Sequence, residues 1–113
     1  MNGPKHRELA AGRWRELSLP QQLGNVGSEV SRALRWRTAN PRLALGALER
    51  ALELMDLTLA DPRHHRSVAR LREIARAREV LVDFLAGSNQ YRSTAESLQR
   101  WFDVYALAAA RRK

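Results

Sequence analysis

Tryptophan stands between two arginines twice in this chain, at Arg13-Trp14-Arg15 and Arg35-Trp36-Arg37, and Arg100-Trp101 adds a third such neighbour. Single-stranded nucleic acids use this pairing of residue types: a ring stacks a base while a guanidinium holds the phosphate, at about 1–3 kcal/mol per stacked base. Trp101 shares a helical face with Leu98 and Tyr105 and is expected in the core. Trp36 lies near a helix end and off the main apolar stripe, where it either caps the bundle while its arginines solvate the rim or stacks a base. Arg63, Arg66 and Arg70 step by three and four along one helical face. The candidate nucleic-acid contacts are Arg35, Trp36, Arg37, Arg66 and Arg70, and the basic chain end at Arg111, Arg112 and Lys113 extends them if the fold brings it alongside.

Other chemistry is poorly provided for. Glu49, Glu53 and Asp56 lie at i, i+4 and i+7 of one helix, a spacing that could hold a divalent ion. Di-metal carboxylate bundles add Glu-x-x-His pairs on two helices, and no such pair occurs here. The expectation is instead that these carboxylates meet arginines of neighbouring helices, such as Arg32 and Arg35 or Arg76 and Arg78. His64 and His65 are adjacent and point to different sides of a helix. The Arg placed four to six residues ahead of a His, which helical ribonucleases of the HEPN class carry, precedes none of His6, His64 and His65. No serine elbow and no glycine-rich phosphate loop after a strand is present. No catalytic residue, metal ligand or cofactor is expected, and the chain reads as a non-enzyme.

The elements that must position the arginines are marked by helix punctuation. Ser18-Leu19-Pro20-Gln21, Asn40-Pro41 and Asp61-Pro62 each put a capping side chain before a proline tolerated in the first turn. Ser93-Thr94-Ala95-Glu96 reads as a capping box, and Gly87 sits where a helix end would take a left-handed residue. Helices are predicted at about 19–38, 41–60, 62–86 and 94–111. Their apolar stripes are Leu23-Val26-Val30-Ala33-Leu34, then Leu45-Leu48-Leu52-Met55-Leu59, then Val68 to Leu85, and Leu98 to Ala109. Leu43, Ala47, Ala51 and Leu54 widen the second stripe, and no stretch alternates with period two. Short connections make successive helices antiparallel. The fold expected is all-α: an up-and-down antiparallel four-helix bundle over residues 14–113, with residues 1–13 as a flexible basic arm pinned by Trp14 and Leu17.

Composition narrows the class. The chain has 113 residues, a net charge of +8 and 44% hydrophobic residues, enough apolar content for a packed core. Arginine supplies nearly all the positive charge, a bias that a GC-rich genome produces as readily as selection for phosphate binding. A field of that sign attracts polyanions whatever its origin. There is no cysteine, no apolar run near the ~20 residues of a membrane span and no apolar leader in Met1–Glu8, so a cytoplasmic protein without membrane contact is expected. Residues 41–61 carry a net charge of −2 within this basic chain, which suggests a central acidic helix clasped by arginine-bearing neighbours. Gly24, Gly27, Ser28 and Ser31 form a stripe of small side chains whose two glycines cost the helix roughly 2 kcal/mol. Close approach of another helix, inside the monomer or at an interface between copies, would offset that cost.

With its length, four helices, a Leu19-Pro20 opening and Arg32-Ala33 in the first long helix, the chain resembles small bacterial four-helix-bundle proteins of the rRNA intervening-sequence and accessory variability determinant type. The Asn-Ile-x-Glu-Gly signature of those proteins does not occur in Gln22–Ala33, and no functional residue is carried over. The resemblance implies a basic, homo-oligomeric, nucleic-acid-binding accessory protein. The alternative is a protein-interaction module that docks a partner helix without touching nucleic acid.

Overall fold

The computed structural model describes residues 11–111, so most of the expected arm, together with Arg112 and Lys113, lies outside the described residues. After a helical turn at 11–14 come α1 (Leu19–Trp36), α2 (Pro41–Leu59), a 3-10 turn (Pro62–Arg66), α3 (Val68–Leu85) and α4 (Ala95–Arg111). No strand occurs among the described residues.

Local chemistry sets the helix starts. Ser18 Oγ accepts from Gln21 N–H at 3.3 Å while Gln21 Oε1 accepts from Ser18 N–H at 2.9 Å, the reciprocal box expected from the sequence. Asn40 Oδ1 accepts from Leu43 N–H ahead of Pro41. The last helix begins one residue later than the Ser93 box implies. Thr94 is its cap, exchanging bonds with Ser97: Thr94 Oγ1 accepts from Ser97 N–H and Ser97 Oγ accepts from Thr94 N–H. Gly87 does not supply the left-handed residue either. Asn89 (φ 55°) and Arg92 (φ 54°) do, and Asp83 gathers the N–H groups of Gln90 and Tyr91 to hold the connection.

The expected continuous helix over 62–86 is broken. Asp61 caps a single 3-10 turn, then Ser67 takes an extended conformation (φ −124°, ψ 109°) and caps α3 by accepting from Arg70 N–H. His64, in the 3-10 turn, is buried.

The core contains Leu23, Val26, Val30, Leu48, Ala51, Met55, Ile74, Leu81 and Phe102, with Trp14 covering one end. α1, not the acidic α2, is the central helix, packed most extensively against α2 and α4. The seam of α2 is rotated from the leucine stripe expected. Ala44, Ala47, Leu48, Ala51, Met55 and Thr58 are buried, whereas Leu45 is 54% exposed. Alanines allow α1 close, and the larger leucines are displaced to the flanks. Gly24–Ala106 and Gly27–Phe102 contacts run in opposite sequence senses, so α1 and α4 are antiparallel. Cross-links from Arg50 to Glu29 (3.2 Å), from Arg78 to Asp56 (2.8 Å) and from Tyr105 to Glu73 (2.8 Å) join the other neighbours.

A Cβ on Gly27 would lie 2.8 Å from Phe102 Cβ. Gly27→Ala is therefore expected to destabilise the protein by about 1–3 kcal/mol through overpacking, against a helix-propensity gain of at most about 1 kcal/mol. Urea unfolding checks the sign. Among the described residues no helix is long and apolar enough to cross a membrane.

Candidate functional site

Two kinds of site come out of this fold: a buried polar cluster and an arginine-bearing exterior. The cluster forms where α2 ends and α3 begins, here called the lower end. Gln22 and Thr58 sit on the apolar stripes of α1 and α2, yet both are fully buried and polar. Thr58 Oγ1 accepts from the Trp14 indole N–H at 2.8 Å and itself donates to the Leu54 carbonyl. The Gln22 amide nitrogen donates to the Trp14 carbonyl (2.9 Å) and to Asp61 Oδ2 (3.0 Å). Its Oε1 faces His64 Nε2 at 2.7 Å. Arg63 closes the cluster from outside, bonding both carboxylate oxygens of Asp61 and, through Nη2, the Leu17 carbonyl at 2.6 Å.

These contacts set the protonation states. The Arg63 guanidinium, helped by Gln22 and the Arg63 backbone N–H, holds the Asp61 carboxyl well below the usual carboxylate range although burial opposes it. Burial pushes the His64 imidazole down, with Arg63, Arg70 and His65 acting in the same sense and Asp61 against. Both Gln22 amide hydrogens are used, so its oxygen must be the acceptor and His64 Nε2 the donor. That leaves Nδ1 as a buried lone pair without a partner. Apart from His64 Nδ1, the buried side chains of the cluster hydrogen-bond to one another and to the backbone, tying the turn at 11–14 and Leu17 to the end of α2. From the sequence alone Asp61 reads as a cap and His64 as one of two histidines on different sides of a helix, and neither Gln22 nor Thr58 stands out. A polar residue on an apolar stripe was the available signal.

The five candidate contacts divide between two ends. Arg35, Trp36 and Arg37 lie at the upper end, where α1 meets α2, with Trp36 38% exposed. The Arg37 guanidinium sits 5.0 Å over the Phe84 ring of α3. Arg66 and Arg70 are exposed at the lower end. Arg70 is separated from Phe84 by about 21 Å of helix axis, at 1.5 Å per residue. The five therefore do not form one patch. Arg111 does join Arg70's end, because Tyr105 of α4 donates to Glu73 of α3 and feels the Arg70 charge. Burial and the Glu73 bond push the Tyr105 hydroxyl up to about 12. Trp14 is buried and cannot stack a base, and Trp101 packs edge-on against Phe102 at 4.9 Å as the core reading expected.

Gly24 and Gly27 receive α4 inside the chain, which realises the intramolecular alternative for the small-residue stripe. Ser28 and Ser31 instead line a polar cleft of about 380 Å³ between α1 and α4, with Arg32, Arg35, Gln99 and Asp103. On the other side of Phe102, Ala77, Val80, Leu98 and Trp101 line an apolar cleft of about 210 Å³ between α3 and α4. Of the acidic strip, Asp56 pairs with Arg78, while Glu49 and Glu53 face solvent. No group of three or more metal-ligating side chains occurs among the described residues. Comparison with family models, with curated proteins and with solved structures finds no match to this chain.

Proposed function

We propose that this chain is a non-enzymatic, up-and-down four-helix bundle that binds nucleic acid through its two arginine-bearing ends, as an accessory factor that self-assembles. The observation that carries the reading is the placement of the arginines. Arg66 and Arg70 are exposed and make no ion pair with a described carboxylate, while Arg63 and Arg111 lie at the same end. The opposite end offers an exposed Trp36 between Arg35 and Arg37, the combination that stacks a base and holds its phosphate.

The test compares two double variants on a labelled 20-nucleotide RNA and its DNA counterpart. Arg66→Ala/Arg70→Ala and Arg35→Ala/Arg37→Ala are each expected to weaken binding and to lower the salt slope by about one for each phosphate contact removed. Wild-type affinity in both variants would remove nucleic acid from the reading.

A second reading rests on a separate observation, the exposed Leu43 and Leu45 on α2 and Val104 and Leu107 on α4. These suit a protein partner or a second copy. Leu45→Glu and Leu107→Glu test it: light scattering is expected to show loss of assembly in one of them, and on this reading the wild type shows no nucleic-acid affinity at low salt.

A further inference from the structure

The segment from the helical turn at 11–14 to Leu17 is strapped onto the lower end by three bonds, all leading to one cluster. Trp14 Nε1–H donates to Thr58, the Trp14 carbonyl accepts from Gln22, and the Leu17 carbonyl accepts from Arg63. Gln22 and Arg63 are held in turn by Asp61. His64 is the member without slack. Its Nε2–H is fixed as a donor by Gln22, and its Nδ1 has no partner and no water access. We infer that His64 is an acid-sensitive catch, and that its protonation frees the Trp14 strap while the remaining helices stay folded.

The chemistry is direct. A proton on Nδ1 adds an N–H donor where nothing can accept it, and burying such a group unpaired is unfavourable. Relief requires His64 to reach water. That motion takes away the partner of Gln22 Oε1, and Gln22 is the residue that binds the strap's Trp14 carbonyl. The charges facing His64 decide whether Asp61 compensates. Asp61 Oδ2 lies 3.7 Å from Nε2 and favours the cation. Its two oxygens already accept from Arg63 and Gln22, and Arg63, Arg70 and His65 all disfavour a further positive charge. The folded imidazole is accordingly held below its ordinary 6.5, chiefly by burial. A group that resists protonation only while the strap is seated stabilises that state fully above 6.5, and the stabilisation is lost as pH falls below it. Arg13 and Arg15 flank Trp14 and are exposed, so release would also reposition two guanidiniums.

The experiment follows the Trp14 indole N–H resonance of the full chain by NMR from pH 7.5 to 4.5, with far-UV circular dichroism on the same samples. The ratio of released to seated strap is expected to rise as pH falls below 6.5, by at most about tenfold per pH unit, one proton per release, while helical ellipticity stays within a tenth of its neutral value. His64→Gln keeps a donor near Nε2 and cannot take a proton, so its strap should stay seated over the same range. Should that variant misfold, the His64 imidazole ¹⁵N shifts of the wild type report directly whether protonation and release coincide. The inference is overturned if the strap stays seated until the whole fold melts, if His64→Gln releases at the same pH, or if His64 titrates without release.

Discussion

Asp61→Ala is expected to lower unfolding free energy by about 3 kcal/mol, measured by urea denaturation at neutral pH. Breaking a buried ion pair by deleting one partner typically costs about 3–5 kcal/mol. The lower end applies because the Arg63 side chain is 46% exposed and water can take over part of its solvation. Gln22 fares worse, since its amide loses an acceptor in a site closed to water. The 3-10 turn also loses the oxygen that accepts from Arg63 N–H. Asp61→Asn keeps the cap and the shape, and should cost less. The pH dependence follows from the direction of the shift: the folded carboxyl resists protonation more than the unfolded one, so its contribution is intact above its ordinary 3.8 and is lost as pH falls below that value. In Asp61→Ala this acid limb should be shallower than in the wild type.

Phe102→Ala is expected to cost about 3–5 kcal/mol, the usual range for truncating a buried aromatic. Phe102 is 1% exposed and does three things at once. It fills the notch made by Gly27, supports Trp101 edge-on, and forms the wall shared by the α1–α4 and α3–α4 clefts. Its loss merges two water-accessible clefts behind α4, so this helix should loosen before the others. Hydrogen exchange is expected to show the largest loss of protection in α4, with α1 and α2 nearly unchanged. Uniform loss throughout would mean that Phe102 supports the whole fold and not α4 in particular.

Much of the helical architecture was legible because it is written in local chemistry. Ser18-Leu19-Pro20-Gln21 and Asn40-Pro41 fix their helix starts through bonds that span three residues, and such bonds need no tertiary context. Trp14 and Leu17 pack against the core ahead of the Ser18 cap, where the sequence expects a pin. What was not legible depends on three-dimensional neighbours. Leu45 and Ala44 exchanged roles because the choice of seam on a helix apolar over most of its circumference belongs to the partner helix. The break at Ser67 was hidden because residues 62–86 satisfy a helical period throughout, and Ser67 reads as an ordinary helical residue until its side chain is seen capping α3. The acidic strip placed the wrong helix at the centre: Glu49 and Glu53 face solvent, and α1, with its glycines, takes the position that close packing on two sides requires.

Arg35, Trp36, Arg37, Arg66 and Arg70 are all exposed, as read, but α3 holds the two sets a helix length apart. On the proposed function, two separated cationic ends require that one strand run along the molecule or that two be held at once.

A salt titration of nucleic-acid affinity tests the proposed function most directly. Anisotropy of the labelled 20-nucleotide RNA, from 50 to 300 mM salt, is expected to show binding at the low end and a log-log slope near −3, from about four released counterions at ~0.7 each. Absence of binding at 50 mM salt, or an affinity that does not change across the range, would contradict it.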